Sequence, residues 1–307
     1  MYLESDMGIS GDMTVAALID LGVDVDGLTS ALKSVDVSGF DIKVSRVKKA
    51  GLDCCDFDVI LDAEHENHDH DMTYLYGHMH DNEDAGEHGH YECQEHHHDA
   101  ESHHGHDHDH HHDHNHAHED DHHNHHNEDG EHHHHHHEHR GFFDIKKIIE
   151  SSSMTDRAKS IAIRIFEIIA EAEAKAHGES FENVHFHEVG AVDSIVDVMA
   201  VGYAIDALDI TEVIVPYLSE GHGSVRCQHG ILPVPVPAVT NIVASYGISL
   251  KRQNINGELV TPTGAAIVAA LRTSENLPDI LKIKKVGLGA GKREYERPGI
   301  LRAMIIE

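Results

Sequence analysis

Residues 184–197 read Val-His-Phe-His-Glu-Val-Gly-Ala-Val-Asp-Ser-Ile-Val-Asp, and apolar residues dominate the continuation to Leu208. Side chains alternate along an extended segment, so His185 and His187 share one side of it if it is a strand. From residue 190 to 208 the apolar residues run nearly all round a helical wheel, which predicts a buried helix. Asp193 and Asp197, four residues apart, fall on one face of that helix. An unpaired carboxylate buried there costs several kcal/mol, so each should be paired with a cation, hydrogen-bonded or coordinated to a metal. The two chemical readings are a metal or catalytic site and a structural network in which His185 and the carboxylates only brace the fold.

Outward from this stretch, α and β signals alternate. A short strand at residues 2–5 passes through a Gly8/Gly11 turn into a helix over 12–21, and a second helix covers 25–34. Period-two runs at 40–47 (Ile42, Val44, Val47) and 52–61 (Phe57, Val59, Leu61) predict two strands joined at Ala50-Gly51. After Arg140, Phe142, Ile145, Ile148 and Ile149 mark one helical face; a longer helix over 156–176 buries Ile161, Ile165, Ile168 and Ile169 and stops at Gly178. A strand at 212–218, a Gly/His turn region, a Pro-punctuated run at 232–237 and a helix over 237–246 follow. A helix over 264–271 and strands near 281–288 and 301–306 close the chain. The fold class is α/β or α+β, with mixed sheet elements and packed helices, interrupted by a long disordered His/acid-rich insertion. The expected division is an N-terminal αβ module (1–61), the insertion (62–140) and an αβ main domain (141–307) carrying the His-Phe-His-Glu motif.

Residues 62–139 hold 31 of the 36 histidines and 23 of the 55 acidic residues, with no Lys or Arg. Such a segment buries too little apolar surface to offset an ordering entropy of roughly 1 to 2 kcal/mol per residue. Imidazole and carboxylate donors at almost every second position, as in His103, His104, His106, His108 and His110, suit Ni(II), Zn(II), Cu(II) and Co(II). The formal charge of the whole chain is −32, which repels polyanions and excludes a nucleic-acid footprint. The most apolar stretch, at 195–208, contains Asp197 and Asp206 and is shorter than the ~20 residues of a membrane span. The start lacks the charged and apolar regions of a secretory signal, and Cys54, Cys55, Cys93 and Cys227 form no disulfide or zinc framework, so the setting is cytoplasmic. Cys54 and Cys55 point to opposite faces of one strand, with packing the favoured role for at least one.

Two helix starts carry candidate binding residues. Ser10, Gly11 and Asp12 could present backbone N–H groups to an anion, although neither the Lys of a P-loop nor GxGxxG spacing is present. Thr261, Thr263 and Gly264 open a later helix. Plain capping by Ser10 or by Thr261 or Thr263 is the alternative. His222 and His229 bracket a Gly-rich loop containing Arg226, a further candidate site.

Taken together, GISGDM (8–13), HFHEVGAVDSIVDV (185–198), HGILPVPVPA (229–238) and GELVTPTGAA (257–266), with a His/acid insertion between the first two, resemble the nickel insertion proteins of lactate-racemase cofactor maturation. The resemblance covers the chain outside the insertion. It implies a cytoplasmic nickel chelatase of the lyase class, which inserts Ni(II) into pyridinium-3,5-bisthiocarboxylic acid mononucleotide in a CTP-dependent reaction and serves the lactate racemase apoprotein indirectly. Members usually continue into a C-terminal domain associated with CTP and Mg(II) or Mn(II), so that domain or a companion chain is an expected partner. Among the motif positions, His187, Glu188, Asp193 and Asp197 are the candidate catalytic residues. His185, His187, Asp193 and the tract histidines are candidate metal ligands, and Ser10, Gly11, Asp12, Thr261, Thr263 and Gly264 candidate cofactor contacts. A non-catalytic nickel or zinc storage protein or metallochaperone is the competing reading. A metal-dependent hydrolase is disfavoured by the lack of HExxH-like spacing.

Overall fold

The computed structural model describes residues 1–62, 72–76, 140–186 and 190–307. Strand β1 (Tyr2–Glu4) turns into α1 (Gly11–Asp20), and α2 (Val25–Leu32) follows, capped by Asp24 accepting from the Gly27 N–H at 3.1 Å. The period-two runs form a hairpin, β2 (Phe40–Lys49) with β3 (Leu52–Leu61), in unbroken antiparallel register. Its Ala50-Gly51 turn has positive φ at both residues, 49° and 82°, matching the twist of the strands it joins. Both cysteines of β3 are buried: Cys55 joins the main core, and Cys54 packs against Ala290 and Ile300 on the other face.

Beyond α3 (Met72–Tyr76), β4 (Arg140–Gly141) leads into α4 (Phe142–Ser151), and α5 (Asp156–His177) runs from a Thr155 cap to Gly178 in the left-handed conformation. Strand β5 (His185–Phe186) pairs with β4, and α6 (Val192–Ala207) buries residues around its whole circumference, as its wheel predicts. The expected strand at 212–218 is only a bridge at Ile214; regular pairing starts with β6 (Leu218–His222). The Gly/His turn region holds a hairpin, β7 (Ser224–Cys227) with β8 (Gly230–Pro233). Helix α7 (Pro237–Tyr246), β9 (Leu250–Asn256), α8 (Pro262–Leu271), β10 (Ile283–Ala290) and β11 (Ile300–Ile306) complete the order.

Strands from both ends of the chain share one sheet, ordered β1-β11-β10-β3-β2. Its pairs are antiparallel except β10 with β3, which meet in parallel at Gly289 and Cys55. Separately, β6 and β9 pair in parallel. Helix α1 lies on the sheet, α6 packs on α1 and α2, and α5 packs on α6, α7 and α8. The fold is therefore mixed α/β, with parallel and antiparallel pairing both present. The tract residues His103, His104, His106, His108 and His110, together with His187 and Glu188, lie outside the described residues.

Candidate active site

The GISGDM and TPTG motifs, about 250 positions apart in sequence, meet through Ile9. Its N–H donates to the Leu259 carbonyl at 2.9 Å, and its carbonyl accepts from the Thr261 N–H at 3.1 Å. The starts of α1 and α8 are thus stitched side by side. The contact demands glycine at 264, where a Cβ would sit 2.3 Å from the Ile9 carbonyl oxygen. At the α8 start, Thr261 caps through its hydroxyl, which accepts from the Gly264 N–H at 3.1 Å. Ser10 holds the same position before α1 but makes no cap bond; its hydroxyl donates to Asp12 Oδ1. Capping therefore accounts for Thr261 and fails for Ser10.

A cavity of about 300 Å³ opens at these two helix starts. Ser10, Gly11 and Asp12 wall it from α1, Asp193 and Asp197 from α6, and Thr261 and Thr263 from α8. An adjoining space of about 60 Å³ is lined by Asp12, Asp58, Asp193, Asp197 and Lys292. The α1 and α6 walls touch where a Cβ on Gly11 would stand 2.5 Å from Asp197 Oδ2, so the carboxylate approach requires the bare glycine. Asp12 is only 5% exposed, and its Oδ2 has no hydrogen-bond partner among the described residues. Burial, then the neighbouring Asp12 and Asp193, hold the Asp197 carboxyl well above the usual carboxylate range, with Lys292 opposing. Burial works against the charge on Lys292, but Asp12, Asp58 and Asp197 outweigh it and keep the ammonium above the ordinary lysine range. Lys292 is ion-paired with Asp58.

The far walls join the expected His229 and the motif residue Glu258 to side chains that carried no local signal. Glu173 and His177 contribute from the end of α5, with His177 Nε2 3.4 Å from Glu173 Oε2. The His177 ring lies 4.8 Å from that of His229, on the β7–β8 turn, and burial followed by His177 lowers the pKa of His229. Arg293 pairs with Glu258 at 2.5 Å, and the Tyr295 hydroxyl donates to the Glu258 carbonyl at 2.8 Å. Behind them Glu220, 2% exposed in β6, accepts through Oε1 from the N–H groups of Gly221 and Leu259, both at 2.8 Å, and Val260 at 3.3 Å. Burial pushes its carboxyl up to about 7 despite these donors. Glu220 thereby fixes the segment that delivers Glu258 and Thr261 to the cavity.

Seven expected site residues meet at this cavity: Ser10, Gly11, Asp12, Asp193, Asp197, Thr261 and Thr263. Gly264 packs against Ile9 instead of lining it, and His185 is exposed on β5, outside the lining. His222 likewise lies outside the lining, whereas His229 and Arg226 belong to it. The sequence reading missed Lys292 and Arg293, although two adjacent cations after a strand in so acidic a chain were a usable signal. Among the described residues, no group of three or more His, Cys, Asp or Glu is arranged to hold a metal ion.

Fold and site define a mixed α/β protein with a carboxylate-walled cavity at paired helix N-termini. The chain belongs to the nickel insertion protein family, whose model matches residues 1–307. It is 44% identical over 307 residues to a protein of Alkaliphilus metalliredigens named pyridinium-3,5-bisthiocarboxylic acid mononucleotide nickel insertion protein, covering 100% of this chain and 60% of the relative. Relatives of the same name in Acetivibrio thermocellus and Geobacillus kaustophilus are 33% and 35% identical over 99% and 100% of this chain, and 60% and 59% of their own lengths. The chain thus spans about 60% of the length of these relatives. No solved structure matches it. Among the described residues, no helix is long and apolar enough to cross a membrane.

Proposed function

We propose that the chain inserts Ni(II) into pyridinium-3,5-bisthiocarboxylic acid mononucleotide at this cavity, acting as a chelatase of the lyase class in the cytoplasm. The carrying observation is the convergence of Asp12, Asp193 and Asp197 from two helices on one cavity with an adjoining acidic recess. Nickel is a substrate, and the organic substrate brings two thiocarboxylates of its own. The protein then needs to add only a few oxygen or imidazole donors, which accords with the lack of a closed three-ligand group among the described residues. Asp193 and Asp197 act as donors and as acceptors for the protons that metal binding releases, with His187 and Glu188 in the preceding segment. Ser10, Thr261 and Thr263 contact the organic substrate, while Gly11 and Gly264 let the walls approach.

The His/acid tract, including His103, His104, His106, His108 and His110, serves as a reservoir that raises nickel concentration beside the ordered site. CTP with Mg(II) or Mn(II) belongs to a C-terminal domain or companion chain in this reading, and the product goes on to the lactate racemase apoprotein. The tract composition also favours a second reading, a non-catalytic nickel or zinc store. The test is the insertion rate per folded molecule of Asp193→Asn at saturating nickel, supplied with the C-terminal domain and CTP. The amide nearly preserves shape, so the thermal midpoint should hold while insertion falls at least a hundredfold. A rate within about threefold of wild type, under ~0.7 kcal/mol in barrier terms, would return the motif to the scaffold.

A further inference from the structure

The mononucleotide of the reading above ends in a phosphate monoester of charge about −1.5 to −2 at neutral pH. It must enter a cavity walled by Asp12, Asp193, Asp197 and Glu258 in a chain of formal charge −32. Such a field repels the phosphate unless a cation that is not already neutralised meets it. Three strong cations line the cavity. Lys292 is neutralised by Asp58, and Arg293 by Glu258. The third, Arg226 on β7, is exposed, and its guanidinium has no ion pair or hydrogen bond among the described residues.

The hairpin explains its placement. Directly paired residues of antiparallel strands project to the same face. Val225, buried, pairs with Leu232, and both line the cavity; Arg226 pairs with Ile231, which is 65% exposed. Val225 therefore anchors β7, and Arg226 stands on its solvent side at the rim of the cavity. It is absent from the acidic recess of Asp12, Asp193, Asp197 and Lys292.

We propose that Arg226 is the phosphate anchor of this cavity, its guanidinium holding the phosphomonoester at the mouth while the pyridinium ring enters toward Asp12, Asp193 and Asp197. The proposal rests on the nickel-insertion reading and adds an orientation to it. The bisthiocarboxylate end, which receives the nickel, faces the carboxylate donors, and the terminal phosphate faces the one unneutralised strong cation of the lining among the described residues. Arginine suits the task because its planar fork grips phosphate through two parallel hydrogen bonds.

Calorimetry on the 307-residue chain without nickel tests it, using the bisthiocarboxylate mononucleotide and the nucleoside that phosphatase makes from it. Wild type should bind the mononucleotide at least tenfold more tightly than the nucleoside. Arg226→Ala should remove that preference while leaving nucleoside affinity in place, and Arg226→Lys should fall between. In insertion assays Arg226→Ala should raise KM at least tenfold with a smaller change in kcat. A variant that still prefers the mononucleotide as wild type does would overturn the assignment. So would a loss of preference confined to Thr263→Val, which would move the subsite to the first turn of α8. Failure of the parent reading has a different signature: wild type then binds neither compound, and the anchor falls with it.

Discussion

Ser10 and Thr261 occupy the same position before two helices that start side by side, yet only Thr261 caps its helix. Local sequence does not separate them, since either hydroxyl can satisfy an N-terminal donor. What separates them is the second residue of each helix. Asp12 follows Ser10 by two and takes its hydroxyl, while Pro262-Thr263-Gly264 leaves Thr261 free to accept from Gly264. The α8 start is held by a cap, by Ile9 and by Glu220. At the α1 start the cap is given up, and a buried carboxylate oxygen of Asp12 is left at the cavity without a partner among the described residues. One start is built for rigidity; the other turns a buried carboxylate toward the cavity.

Substitutions can break that contrast. Gly264→Ala should have the largest effect, because the new Cβ would meet the backbone carbonyl of Ile9, which cannot swing aside. Urea unfolding should show a loss of about 3 kcal/mol, at the upper end of overpacking costs; a loss under about 1 kcal/mol would mean the two starts are not locked together. Glu220→Gln comes next and has a sign. The folded carboxyl titrates near 7 against an ordinary 4.5, so between these values the folded state holds more protons and wild type loses stability as pH rises. Relative to the Gln variant that loss should reach up to about 3 kcal/mol by pH 7, read from thermal midpoints across pH 4.5 to 8. Parallel curves for the two proteins would refute the buried charge.

On the α1 side, Gly11→Ala meets the Asp197 side chain, which can move. The stability cost should be about 1 to 2 kcal/mol, with nickel insertion falling further than the folded fraction because Asp197 is displaced. The smallest effects sharpen the comparison most. Thr261→Ala should cost about 1 kcal/mol as a lost cap, and Ser10→Ala only a few tenths. Equal costs in denaturant titration would show that Ser10 caps after all.

The elements that sequence revealed are those whose burial follows a period. Helix α6 declares itself by apolar residues all round, and the β2–β3 hairpin by its alternation. Strand β9, Leu-Lys-Arg-Gln-Asn-Ile-Asn, could not be read, because Ile255 alone is buried and its strand character comes from pairing with β6. Strand β6 was displaced in the reading because it buries Ser219 and Glu220, residues that signal a loop until Leu259 and Val260 are seen donating to the carboxylate. In the site, Asp193 and Asp197 were legible from a polar interruption of an apolar helix. Glu173 and Asp58 were not, since each lies in an unremarkable segment and acquires meaning only by meeting its neighbours at the cavity.

Two buried neighbours on β3 bear on how a nickel-handling reading of this chain accommodates its cysteines. Thiolate is the form of cysteine that captures nickel, and burial pushes the Cys55 thiol up to about 11 and raises that of Cys54 as well. At neutral pH roughly one Cys55 in ten thousand is ionised. The two thiols of the central sheet are thus poor ligands for a metal ion, whereas Cys227 stands in the cavity lining. Alkylating reagents applied to the native protein should likewise pass over this pair and, among the described cysteines, mark Cys227 beside the cavity.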